Sequence, residues 1–160
     1  MLKLLKKRKE IHLYAPVDGH MIDLEDVPDK VFASRMIGEG IAFELDNNVV
    51  CAPCDGEITF IPSTLHAFGI KAHNGAEILV HIGLDTVNLK GEGFQKCVCQ
   101  GDKVVSGTPI IEIDQMFMKE KNTNLITPMV ITNSSSFNIE VKPNQQVKAG
   151  KTEVIFCLKK

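Results

Sequence analysis

Tryptophan is absent and tyrosine occurs once, so that aromatic residues make up only 6% of the chain. Surfaces that stack single-stranded nucleic acid need clustered aromatics interleaved with basic side chains, and the sequence has neither cluster. A net charge of −2 gives no whole-protein field that would draw in a polyanion. No apolar run approaches the length of about 20 residues that a transmembrane helix needs. Cysteine occurs five times, an odd number, which excludes a closed internal disulfide framework. Several catalytic motifs are missing too. There is no serine nucleophile elbow and no His-Glu-x-x-His pair. The string nearest to a nucleotide-binding P-loop, Gly150-Lys151-Thr152, has Gln145 where the first glycine belongs.

What charge there is lies unevenly. Residues 1–10 carry five basic side chains (Lys3, Lys6, Lys7, Arg8 and Lys9) against Glu10, a net of +4, which leaves −6 for residues 11–160. Such a run reads as a flexible basic tail ahead of a single β domain spanning 11–160. The sharper alternative is an amphipathic anchor through residues 1–9, with Leu2, Leu4 and Leu5 facing an anionic membrane surface. No apolar stretch follows the charges, so the segment is not a signal peptide, and the expected location is the cytoplasm, peripheral at most to the membrane's inner face. Cys51-Ala-Pro-Cys54 and Cys97-Val-Cys99 suggest a zinc site, but the second pair lacks the spacing of a zinc knuckle. Both pairs fall in strand-like runs, which predicts small buried thiols in a reducing compartment.

Short apolar or alternating runs dominate the rest, separated by Gly, Pro, Asn and Asp. Strands are predicted at 11–15, 40–45, 48–52, 57–61, 65–71, 77–83, 104–105, 109–113, 128–132, 136–141 and 153–158. Helical signal is confined to short turns, one starting with Pro28 at its first position and one at 114–121. Two echoes run through the pattern. Ala15-Pro-Val-Asp-Gly19 returns as Ala52-Pro-Cys-Asp-Gly56, and Val104-x-x-Gly107 returns as Val147-x-x-Gly150. The predicted fold is all-β: an antiparallel sandwich or barrel with duplicated β motifs.

Five histidines are present, at 12, 20, 66, 73 and 81. Asn74-Gly75 joins two apolar runs and is a strong hairpin signal. With these as a two-residue loop, Phe68 faces His81 and His66 faces Gly83. His66 and His81 then become diagonal neighbours on one face, roughly 7–8 Å apart. Two such imidazoles can bind a divalent metal. They can also hold a phosphoryl group, one ring as nucleophile and the other as hydrogen-bond donor to its oxygens. Asp85, four residues beyond His81, adds a carboxylate. A site of this kind without a nucleotide-binding motif suits a relay that takes its phosphoryl group from another protein. The alternatives are a zinc hydrolase on His66, His81 and Asp85, and a carrier in the style of lipoyl domains. The latter would use the glycine-bounded turn at 101–107, which carries no lysine in an attachment position.

Leu79-Val-His-Ile-Gly-Leu-Asp-Thr-Val-Asn-Leu-Lys-Gly-Glu-Gly-Phe94 resembles the active-site signature of the glucose-type IIA family of the sugar phosphotransferase system. Thr64-Leu-His-Ala-Phe68 resembles the segment with that family's second histidine, and the likeness extends over roughly residues 11–158. The resemblance implies a β-sandwich with a shallow active-site depression. It implies that His81 accepts a phosphoryl group from the phosphocarrier HPr and passes it to a cysteine on the IIB domain of a sugar permease. His66 would steady the group in transfer, Thr64 would orient His66, and the Gly83 carbonyl would fix the tautomer of His81. Asp29 and Asp85 would meet an arginine of HPr, and Val31, Phe32, Ile37 and Leu79 would form an apolar docking rim. No cofactor is required. Some members bind zinc through the two histidines, which the resemblance extends to His66 and His81. Pro62 stands where the family's rim often carries an aromatic, and Leu79 where some members carry Phe.

Overall fold

The computed structural model describes Lys3 and residues 8–160. Residues 1, 2 and 4–7 lie outside the described residues, and with them most of the proposed amphipathic anchor. No described helix is long and apolar enough to cross a membrane.

Among the described residues fourteen strands form three antiparallel sheets. The largest has eight strands. In spatial order they are β13 (Gln146–Val147), β2 (Gly19–Asp23), β3 (Glu39–Leu45), β11 (Thr127–Ile131), β7 (Glu77–His81), β6 (Ala67–Lys71), β5 (Gly56–Phe60) and β9 (Lys103–Val104). One three-stranded sheet sets β14 (Glu153–Lys159) between β1 (Glu10–Tyr14) and β12 (Phe137–Val141). The other sets β10 (Pro109–Ile113) between β4 (Val49–Cys51) and β8 (Phe94–Lys96). Within residues 10–160 the α-helices are short: α1 (Lys30–Ala33) and α2 (Gln115–Glu120).

Period-two alternation explains how the sheets stack. From the eight-stranded sheet, Met21, Phe43, Phe68, Ile78, Val80 and Met129 point inward. They meet Leu13, Val50, Ile110 and Ile155 from the two smaller sheets in one core. Strands with one solvated face would carry polar residues at the alternate positions, but β3 and β11 are buried in nearly continuous runs. The reason is a second apolar layer on the outer face. Ala42 and Val130 meet Leu24, Val27, Phe32 and Leu84 there, with Ile22, Ile37 and Leu79 packed against them. The segment from β2 through α1 thus covers one patch of the outer face, and the site lies at the edge of that cover.

The duplicated turns are related by paired hydrogen bonds. Tyr14 N donates to Pro53 O (2.8 Å), and Cys51 N donates to Pro16 O (2.7 Å). Gly150 N donates to Ala15 O, and Gly107 N donates to Ala52 O, each at 2.9 Å. The Asp18 carboxylate accepts from Ala149 N, as the Asp55 carboxylate does from Ser106 N. Both echoes therefore belong to two interlocked copies of one β motif.

Some expectations require correction. Pro28 precedes the N-cap of α1, whose cap is Asp29. Cys51, Cys54 and Cys157 are buried free thiols, but Cys97 and Cys99 are exposed: β8 is an edge strand whose last residues, Gln95 and Lys96, are already exposed. Burial raises the Cys51 thiol to about 11 and the Cys54 thiol to about 12, so both stay protonated and unreactive. Strands β2, β8 and β13 were not predicted. Each is short or polar, and tertiary pairing creates it.

Candidate active site

On β7 the inward residues are Ile78 and Val80, so Leu79 and His81 face outward. Their partners across the ladder are Gly69 and Ala67 on β6. Small residues at both positions leave a hollow beside the imidazole. Phe60 on β5 pairs with Gly69. A Cβ on that glycine would come within 2.6 Å of the Phe60 ring, so the aromatic closes one side of the hollow.

The hairpin register differs from the one predicted. His73, Asn74 and Gly75 all lie in the loop, with Ala72 N donating to Ala76 O and Gly75 N donating to Ala72 O. Gly75 takes φ +91°, the conformation of a three-residue loop ending in a glycine bulge. His81 therefore faces Ala67, one residue from the expected Phe68. A regular strand would then send His66 and His81 to opposite faces. The backbone breaks instead: β6 begins only at Ala67, and Leu65 adopts φ +56°. Ile82 N donates to His66 O (2.7 Å), which keeps the segment against β7 while the His66 ring swings to the outer face. The two ring centroids end 5.0 Å apart, nearly perpendicular at 78°.

Each ring is anchored through Nδ1. His81 Nδ1 lies 2.7 Å from Gly83 O. A carbonyl oxygen only accepts, so Nδ1 carries the proton and Nε2 carries the lone pair. His66 Nδ1 lies 2.7 Å from Thr64 Oγ1. When the hydroxyl donates, His66 carries its proton on Nε2 and becomes a donor towards whatever sits on His81. Gly83 has φ +78°, and a Cβ there would lie 2.6 Å from Thr86 Cγ2 and 2.9 Å from Asn124 O. Only glycine fits this turn without strain.

Phe32, from α1, is buried, with its ring centroid 5.1 Å from that of His81. Burial dominates the titration of both histidines and lowers their pKa values below 6.5. In His81 the Gly83 hydrogen bond and the charges of Asp29 and Asp85 oppose that shift without cancelling it. In His66 the neighbouring His81 lowers it further. Both rings are therefore neutral near pH 7.

The remaining rim residues divide by exposure. Val31 is exposed, whereas Ile37 and Leu79 are half-buried on the outer apolar layer. Asp85 is exposed. Asp29 has a second occupation, as its carboxylate accepts from Val31 N (3.0 Å) and caps α1. The two occupations can be separated. Asp29→Asn keeps a capping side chain and removes the charge, so the His81 pKa should fall while stability stays nearly constant. Asp29→Ala should show the same titration change and also cost about 1 kcal/mol of stability. NMR titration and denaturant melts of both variants provide the check.

Among the described residues no group of three His, Cys, Asp or Glu side chains is placed to hold a metal ion. A catalytic zinc site uses three protein ligands. The hydrolase reading on His66, His81 and Asp85 is therefore dropped. Two histidines alone would hold zinc only with ligands from another molecule.

The sequence reading missed Phe60, Thr86 and Asn124. Thr86 lies inside the quoted signature, but nothing in the pattern separates it from its neighbours, and Asn124 contributes only a backbone carbonyl.

Comparison with known proteins agrees with this geometry. The family model described as phosphoenolpyruvate-dependent sugar phosphotransferase system, EIIA 1, matches residues 11–137. A glucose-specific EIIA component of Halalkalibacterium halodurans is 44% identical over 144 residues, covering 89% of this chain and 83% of that protein. A glucoside-specific EIICBA component of Staphylococcus carnosus is 44% identical over 138 residues, covering 86% of this chain. This chain spans only 20% of that relative's length. Among solved structures, glucose permease IIA from Mycoplasma capricolum matches with a TM-score of 0.86 at 37% identity, covering 92% of this chain and 96% of that one. Matches of this length, identity and shape make the chain a member of the EIIA 1 family of the phosphoenolpyruvate-dependent sugar phosphotransferase system, and so a phosphoryl-transferring component of that system.

Proposed function

We propose that His81 is the phosphoryl carrier, accepting from the phosphohistidine of HPr and donating to a cysteine on the IIB domain of a sugar permease. The observation that carries this reading is the anchoring of His81 Nδ1 on Gly83 O, with the His66 ring 5.0 Å away. The Nε2 lone pair attacks phosphorus. The P–N bond of the donor breaks, and its electron pair returns to the donor's imidazole. In the second step a cysteine thiolate attacks phosphorus and the P–Nε2 bond of His81 breaks. Phosphoryl transfer needs positioning and charge stabilisation more than covalent assistance. His66 Nε2–H, held by Thr64, supplies one donor to the equatorial oxygens.

The relay draws on no cofactor. Asp29 and Asp85 lie close enough to His81 to act on its charge and suit a basic side chain of HPr. Val31, Ile37 and Leu79 offer an apolar rim that excludes water once a partner docks. One relative's name joins A, B and C in a single component, which fits a B domain as acceptor. The protein's place is proposed as the cytoplasm, where such partners meet it.

The test is incubation with phosphoenolpyruvate, enzyme I and HPr, followed by mass mapping under alkaline conditions that preserve phosphohistidine. One phosphate on His81 is expected, and a phosphate elsewhere would overturn the assignment. The pH dependence follows from the shifts above. The nucleophile is the neutral ring, and its pKa lies below the ordinary 6.5. Acceptance measured from purified phospho-HPr should therefore be flat above pH 7. It should fall only below pH 6.5, as His81 takes a second proton. A His81 NMR titration with a midpoint above 6.5 would contradict the burial account.

A further inference from the structure

Among the described residues three polar residues are buried, and two of them, Thr86 and Thr127, are completely so. Thr86 stands directly behind the turn that holds His81. Thr86 Oγ1 donates to Ile82 O at 2.6 Å. The N–H of Ile82, in the preceding peptide unit, donates to His66 O (2.7 Å). Two residues later, Leu84 N donates to Asn124 O (2.8 Å). That N–H belongs to the peptide unit whose carbonyl, Gly83 O, accepts from His81 Nδ1. Each end of the Gly83–Leu84 peptide is thus engaged, and donation by its N–H strengthens its carbonyl as an acceptor. Thr86 also fills, with Cγ2, the space that a side chain at 83 would need.

We propose that Thr86 is a positioning residue for phosphoryl transfer: its hydroxyl holds the Ile82–Gly83 peptide, next to the one whose Gly83 carbonyl is aimed at His81 Nδ1. The inference rests on His81 being the phosphoryl acceptor. Apart from the Leu84 N–Asn124 O bond, the local sequence gives the turn little rigidity. Gly83 is unrestrained by a side chain, Asp85 sits at φ +58°, and the 3-10 turn that follows spans only Thr86–Leu89. A backbone with that much freedom would sample carbonyl orientations that release Nδ1. The proton could then shift to Nε2, which removes the nucleophilic lone pair. Besides Gly83, the groups facing the His81 ring are His66, Phe32, and the carboxylates of Asp29 and Asp85. Among these, Gly83 O is the acceptor that the structure gives Nδ1.

The experiment compares wild type, Thr86→Val and Thr86→Ser in the presence of a chelator. Val keeps the shape and removes the donor, and Ser keeps the donor and removes the methyl group. Two quantities are read: the nitrogen-15 signature of His81, which distinguishes Nδ1–H from Nε2–H, and the rate of acceptance from phospho-HPr. Wild type should be the Nδ1–H tautomer with a slowly exchanging proton. Thr86→Val should show mixed tautomers and acceptance slower by about ten-fold, the effect of one lost hydrogen bond expressed in the transition state. Thr86→Ser should restore both readings. A Val variant with the wild-type tautomer and rate overturns the proposal, as does a Ser variant as impaired as Val. If Val does not melt cooperatively, wild type decides: a His81 that is not an Nδ1–H tautomer ends the argument. Phosphate mapped to another residue in wild type would overturn the relay reading and leave the tautomer result standing, so the two failures are distinguishable.

Discussion

His81→Ala should take up no phosphate from phospho-HPr, to the level of a control from which HPr is omitted. The effect is this large because the site offers no substitute nucleophile. His66 lies close by, but its Nδ1 is bound to Thr64 Oγ1. In the tautomer that assists transfer, its Nε2 bears a proton and has no lone pair to attack with. The buried cysteines are held as thiols by burial, with Cys51 and Cys157 each raised to about 11. The substitution should not unfold the protein. His81 is half-buried at the end of β7, and its backbone hydrogen bonds survive the truncation. A melt close to wild type together with lost uptake assigns the loss to chemistry. Uptake by a folded His81→Ala protein would transfer the carrier role elsewhere.

The limits of the sequence show most clearly at His66. Asn74-Gly75 announces a hairpin but not its loop length. The type with His73 included shifts the register by one residue. On a regular ladder that shift would have parted the histidines. What reunites them is a backbone break at Leu65, whose positive φ is costly for leucine and leaves no mark in the residue pattern. The core was more legible, because Ile78, Val80, Phe43 and Met129 alternate with period two. Burial of the opposite face by Phe32 and Leu84 was not, since a covered outer face makes β3 and β11 read as continuous apolar runs. The duplicated Ala-Pro-x-Asp-Gly turns showed two copies of one motif, and only the paired hydrogen bonds show how they interlock. Cys97 and Cys99 misled because they follow an edge strand, β8, whose residues after Phe94 are exposed. Cys97 N still donates to Ile110 O, so a strand-like run there does not imply burial.

His66→Gln should separate the two half-reactions, keeping acceptance from HPr near normal while slowing donation to IIB by on the order of a hundredfold or more. The argument begins with what glutamine preserves. Its amide can place an N–H close to where Nε2–H stood, so the phosphoryl oxygens keep a neutral donor. Acceptance then proceeds from one imidazole to another, with similar leaving and attacking groups. Donation differs in charge. The incoming nucleophile is a thiolate, which must approach a phosphoryl group that is already anionic. An imidazole can answer by taking a full positive charge as that negative charge builds, and an amide cannot. The low pKa of His66 in the resting protein is set first by burial and then by repulsion from His81 when that ring is charged. Attaching a phosphoryl group to His81, whose ring centroid is 5.0 Å from that of His66, brings negative charge beside His66, which raises that pKa and makes the imidazolium accessible when it is needed. The check is a single-turnover measurement in each direction, with purified phospho-HPr as donor and purified IIB as acceptor. If His66→Gln donates at the wild-type rate, the second histidine is a spectator of transfer and the charge argument fails. If acceptance collapses as well, the amide does not reproduce the Nε2–H donor and His66 acts in both directions.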